Sequence, residues 1–112
     1  MKPLVIIESP FAGDVEANIT YARKCVADSV HRGEAPIASH LLFTQPGILN
    51  DDIPGERALG IEAGLAWYRV ADKCVVYVDR GWSRGMNEGV ERARLFGLEP
   101  EIRQIEEREV AA

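Results

Sequence analysis

Apolar residues along this chain fall into two kinds of pattern. Leu4–Glu8 (LVIIE), Ala35–Ala38 (APIA) and Lys73–Val78 (KCVVYV) are short, almost unbroken apolar runs. Runs of that length fit strands buried on both faces, as in a parallel sheet. Between them the apolar spacing is helical. Val15, Ile19, Ala22, Val26 and Val30 follow Asp14, which is suited to capping a helix, and Gly33 closes that run just after His31 and Arg32. Ala58, Ile61, Leu65 and Tyr68 follow Pro54, and Met86, Val90 and Ala93 follow Ser83 and end at Gly97. A fourth strand is predicted from about Glu101, with Ile102 and Ile105 among polar residues, as suits a sheet edge. Ser39 to Pro54 (SHLLFTQPGILNDDIP) is the longest irregular piece. It is long for a connection in so small a domain, so it is either functional or partly structured.

Short strands alternating with helices imply an α/β fold with right-handed crossovers. The expected architecture is a flavodoxin-like (Rossmann-like) three-layer sandwich, a parallel sheet of about four strands in the order 2-1-3-4. A single domain over residues 1–105 accounts for the pattern, with 106–112 as a charged, frayed tail. In this winding the strand order reverses between strands one and three, and open α/β sheets take ligands at that point, outside the carboxyl ends of the strands. Two turns lead away from it: Ser9–Asp14 (SPFAGD) and Asp79–Ser83 (DRGWS). The topology predicts that they converge.

Composition narrows the function classes. Charged residues make up 28% and the net charge is −5, which argues against sequence-independent binding of nucleic acid. No apolar stretch approaches the ~20 residues of a membrane span. MKPLVIIESP reads as a first strand rather than a secretion signal, so a cytoplasmic location is expected. Cys25 and Cys74 both lie in apolar patterns and read as buried free thiols. The sequon Asn18-Ile19-Thr20 is read as coincidental. Two separated histidines give no recognisable metal spacing, and no metal or cofactor is expected.

The candidate chemistry lies in the two turns. Gly81-Trp82-Ser83-Arg84-Gly85 runs into a helix N-terminus, where backbone N–H groups can hold a phosphate or a sugar hydroxyl. It matches neither the phosphate-loop motif nor the dinucleotide fingerprint. Glu88 falls early in the helix that follows. A carboxylate there can attack an anomeric carbon and form a covalent glycosyl intermediate. The plain alternative is a solvated glutamate paired with Arg84 or Arg92 at four-residue spacing. His40 is predicted at the carboxyl end of strand two, on the ligand side. Phe11 and Trp82 offer rings for stacking on a base, whereas the spacing of Trp67 suggests core. Gly60 and Gly64 weaken their helix and read as close packing.

The order of motifs is informative beyond any one of them. Ser9-Pro10-Phe11, Gly13-Asp14 and Ala17-Asn18 are followed by Pro36–Phe43 (PIASHLLF), Glu56-Arg57 and Gly81–Glu88 (GWSRGMNE). With these the chain resembles the nucleoside 2-deoxyribosyltransferase-like superfamily, over nearly its whole length, and in particular a group of small bacterial and phage domains. The resemblance implies a flavodoxin-like fold and cleavage of the N-glycosidic bond of deoxynucleosides or their monophosphates, by transfer or hydrolysis. It implies Glu88 as nucleophile, with Ser83 and Gly85 near the sugar or phosphate. Together with the loop readings, the candidate substrate-binding residues are Ser9, Pro10, Phe11, Gly13, His40, Asp79, Trp82, Ser83 and Gly85. The resemblance also implies a homodimer or higher homo-oligomer. The chain departs from the pattern at two places. Ile6 and Ile7 stand where the superfamily carries a tyrosine, and Gly64 stands where it carries an aspartate, with Glu62 the nearest acid. The departures favour an alternative function: a non-catalytic module that binds a nucleotide or phosphosugar as a sensor or sequestering protein.

Overall fold

The computed structural model describes residues 1–106. The chain runs β1 (Leu4–Glu8), α1 (Val15–His31), β2 (Ala35–Ile37), α2 (Ser39–Leu42) and α3 (Pro54–Ala66), which ends in a 3₁₀ turn over Trp67–Arg69. Then come β3 (Lys73–Tyr77), α4 (Arg84–Leu95) and β4 (Glu101–Arg103). The strands form one sheet in the order β2-β1-β3-β4, with every pairing parallel. The fold is therefore α/β, consistent with a flavodoxin-like three-layer sandwich. Glu8, the last residue of β1, pairs in register with Val76 of β3.

Alternation along the strands divides the core in two. Val5 and Ile7 of β1, with Val75 and Tyr77 of β3, pack against Tyr21 and Cys25 of α1. Ile6, Cys74 and Val76 point to the other face, where they meet Tyr68 and the Met86, Val90 and Ala93 stripe of α4. By the same two-residue period, Glu8 shares the face of Ile6 and is carried toward α4. Both cysteines are buried and free. Burial pushes the Cys25 thiol up to about 12 and that of Cys74 to about 11.

Asp14 caps α1 through a hydrogen bond accepted from the Ala17 N–H, as its position predicts. The buried face of α1 is rotated from the expected one. It is Tyr21, Ala22, Cys25 and Ser29, while Val15 and Val30 are exposed. Polar anchors decide this. The Tyr21 hydroxyl donates to Asp79 at 2.5 Å, and the Ser29 hydroxyl donates to Glu34 at 2.7 Å. A helix with such partners beneath it turns them inward and leaves its valines at the margin. Trp67 is likewise not core: it is 45% exposed, and Tyr68 takes the buried position beside it.

The fourth strand also differs from expectation. Ile102 is 53% exposed, and Arg103 is the residue turned inward. Its guanidinium makes a two-pronged pair with Glu34, at 2.8 and 2.6 Å, and donates to the Tyr77 hydroxyl at 3.1 Å. The Arg103 hydrogen bonds hold the Glu34 carboxyl down at about 2, against the opposing effect of burial. An exposed Ile102 is the consequence of a buried Arg103 on a strand, because neighbours point to opposite faces. Ile105, beyond the strand, does pack against the first core cluster. Of the expected charged tail, Glu106 is held rather than frayed: its N–H donates to Asp79 and its carboxylate pairs with Arg80. Residues 107–112 lie outside the described residues. Among the described residues no helix is long and apolar enough to cross a membrane.

Candidate functional site

A pocket of about 310 Å³ opens at the carboxyl end of β1, where the strand order reverses. Its size lies in the range of small-molecule sites. One wall is the turn after β1, through Ser9, Phe11 and Ala12, and another is the start of α4, through Ser83, Arg84, Gly85, Glu88 and Gly89. The two turns thus converge as the topology predicts. The long segment before α3 supplies much of the remaining wall. It is partly helical, and His40, Phe43 and Thr44 face the pocket together with Arg57, Gly64 and Tyr68 of α3 and its 3₁₀ turn.

Local chemistry explains why these pieces hold their shape. The turn after β1 is tied to α1 by Asn18, whose side-chain amide donates to the carbonyls of Phe11 and Ala12 at 2.9 and 3.0 Å. Half of the coincidental sequon is therefore a structural clamp on the pocket wall. Ser83 caps α4 by accepting from the Met86 N–H at 3.2 Å, and the Met86 sulfur accepts from the Ser83 N–H at 3.3 Å. This is a capping box with a thioether in the place of the usual carboxylate. Ahead of α3, Glu56 accepts from the Asn50 N–H and steadies the loop that carries Asp51 to the pocket.

The expected site residues separate into two sets. Ser9, Phe11, His40, Ser83, Gly85 and Glu88 line the pocket. Pro10, Gly13, Asp79 and Trp82 do not. Pro10 is buried beneath the turn, and Gly13 forms its bend with φ of +99°. Asp79 is occupied elsewhere: it accepts from the Tyr21 hydroxyl and from the N–H groups of Ile105 and Glu106. Burial opposes its charge, but these donors hold its carboxyl below the usual range. Trp82 is 50% exposed and is not among the residues that line the pocket. The rings that do line the pocket are Phe11, Phe43, Tyr68 and His40.

Glu88 lies in the first turns of α4 with its side chain 48% exposed, and it pairs with Arg84 at 3.5 Å. The four-residue pairing of the plain alternative is therefore present and solvent-exposed, at the rim of the pocket that both residues also line. His40 shares a hydrogen bond of 2.6 Å with the Ser9 hydroxyl, and burial lowers its pKa to about 4, so the ring is neutral.

A strongly perturbed acid in the pocket is one that the chain's pattern marks only as a strand end. Glu8 lines the pocket and is pushed up to about 7 by burial, with a hydrogen bond from Tyr68 opposing the shift. The Tyr68 hydroxyl donates to Glu8 Oε2 at 2.5 Å. Behind the carboxyl is Gly89 of α4, where a Cβ would overlap the Glu8 oxygens. Gly64 plays a similar part on α3, where a Cβ would overlap the Ser39 hydroxyl. A signal for Glu8 was present: it is the one charged residue in LVIIE, and strand parity places it with Ile6 on a covered face. Among the described residues no three His, Cys, Asp or Glu side chains group as metal ligands.

Comparison with known families bears on this chain as a whole. A family model described as a domain of unknown function (DUF7768) matches residues 3–103. The chain belongs to that family. No curated protein matches the chain. The matched span takes in all four strands and the whole pocket wall, so the pocket belongs to the family domain and not to an appended segment.

Proposed function

We propose that this protein acts on the N-glycosidic bond of a nucleoside or nucleotide, as an N-glycosidase or deoxyribosyltransferase, with Glu88 as the nucleophile. One observation carries the reading: among the acids of a single pocket at the strand-order switch point, Glu8 at the end of β1 and Glu88 on α4 lie in different surroundings. Breaking a glycosidic bond through a covalent intermediate asks for one carboxylate that attacks and one group that handles protons. Phe11 and Phe43 offer apolar faces for a base. The first-turn N–H groups of α4 at Arg84 and Gly85, with the Arg57 and Arg84 side chains, suit a phosphate or sugar hydroxyls. The superfamily resemblance implies the same chemistry. It also implies a homodimer, for which Leu59, Trp67 and Val70 leave exposed apolar surface.

The test is release of free base from a panel of deoxynucleosides and their monophosphates. Wild type releases base from at least one of them, and Glu88→Ala loses that activity. A wild type that leaves the whole panel intact rejects the proposal.

A second reading has its own support. The Arg84–Glu88 pair partly occupies the nucleophile, as befits a module that holds a nucleotide or phosphosugar without turning it over. A rise in melting temperature with an intact nucleotide, and no product, selects this reading over the first.

A further inference from the structure

We propose that Glu8 is the proton donor to the departing base, a catalytic residue distinct from the nucleophile; this rests on the N-glycosidic reading above. The geometry sets Glu8 apart from the other acids of the pocket. It sits on the end of a central strand, so its backbone is fixed by pairing to β3. Tyr68 fixes one carboxyl oxygen from α3's 3₁₀ extension, and the absent Cβ of Gly89 leaves room for the carboxyl against α4. Three elements thus meet at one acid group on the pocket wall, and among the described residues no arginine or lysine pairs with it. Glu88 has Arg84 beside it, whereas Glu8 is hydrogen-bonded by a neutral hydroxyl. A carboxyl held by a neutral donor in a dry wall keeps its proton near neutral pH, and the raised value of about 7 agrees with this. His40 is another proton-handling side chain in the pocket, and its neutral ring is already engaged by Ser9.

The step balances as follows. A Glu88 oxygen forms a bond to C1′ as the bond from C1′ to the base nitrogen breaks. The bonding pair leaves with the base, and the Glu8 proton goes to a ring nitrogen, so the base departs neutral and Glu8 becomes a carboxylate. Glu8 then takes a proton from a water, or from the hydroxyl of a second acceptor. The resulting oxygen attacks C1′, and the Glu88–C1′ bond breaks. Both glutamates return to their starting states.

The experiment compares two leaving groups in the same protein. A purine deoxynucleotide needs a proton on its base to depart. An N7-methylated guanine nucleoside already carries positive charge on the ring and leaves as a neutral base without one. Glu8→Gln keeps the shape and can still accept from Tyr68. It is expected to slow release of the ordinary purine by about 10²–10⁴-fold and release of the methylated base far less. Gly89→Ala, which crowds the Glu8 carboxyl while favouring the helix, is expected to show the same split with a retained unfolding transition. If Glu8→Gln slows both substrates equally, or neither, Glu8 is not the donor and the N-glycosidic reading stands. If wild type cleaves neither substrate, that reading fails and the role of Glu8 falls with it.

Discussion

At the scale of single residues, an acid and a base among the pocket groups are shifted in opposite senses. Glu8 is raised from 4.5 to about 7 and His40 is lowered from 6.5 to about 4, in both cases chiefly by burial. A raised acid binds its proton more tightly in the folded state, so its contribution to stability declines as pH rises from 4.5 toward 7. A lowered histidine does the reverse: its contribution is complete above 6.5 and is lost as pH falls toward 4. The two slopes oppose each other between pH 4.5 and 6.5. Glu8→Gln is expected to unmask stability that increases with pH, by up to about 1.4 kcal/mol per pH unit. His40→Asn is expected to unmask a decrease of the same order. Urea titrations at several pH values check both, and parallel slopes in the two variants would refute the assignment. His40 was legible from the sequence because it follows a strand at its carboxyl end. The role of Glu8 was hidden by the strand pattern around it: in LVIIE it reads as the polar terminus of an apolar run. Strand parity gives its covered face, but the partners that enclose it there, Tyr68 and Gly89, lie more than fifty residues away, and local spacing does not name them.

At the scale of elements, the strands and helix starts were legible and the buried faces less so. Strand β1, the caps at Asp14 and Ser83, and the Met86–Val90–Ala93 stripe fall where propensity and period place them. The faces of α1 and β4 do not, since each is oriented by buried polar groups that hydrophobic counting treats as exposed. Arg103 is the clearest instance. It is buried against Glu34, with Ser29, Tyr77 and Lys73 completing the network. Removing one partner of such a pair strands the other charge. Arg103→Met is therefore expected to cost about 3–5 kcal/mol, read as a lower urea midpoint at constant slope. Arg80→Met, which breaks the solvent-facing pair with Glu106, is expected to cost less than about 1 kcal/mol. Equal losses in the two variants would mean that Arg103 is not the internal anchor.

At the scale of the whole molecule, strand order determines where chemistry can happen. The 2-1-3-4 winding was legible because βαβ units permit few arrangements, and it alone brings turns seventy residues apart to one crevice. Wall composition was less legible. More than half of the lining comes from the segment between β2 and β3, where the irregular chain before α3 has no period to read and the apolar period of α3 does not single out its pocket-facing glycines. Trp82 and Asp79 belong to the converging turn yet point elsewhere, because a turn's position does not settle its side-chain directions. The central claim is that a pocket carboxylate, that of Glu88, bonds to the sugar. Incubation with a deoxynucleoside whose sugar bears fluorine at the 2′ carbon, which slows breakdown of a glycosyl ester, followed by peptide mass spectrometry, tests it directly. The account predicts one sugar added to the peptide containing Glu88. A protein that remains unmodified, or one modified at Glu8 instead, would contradict it.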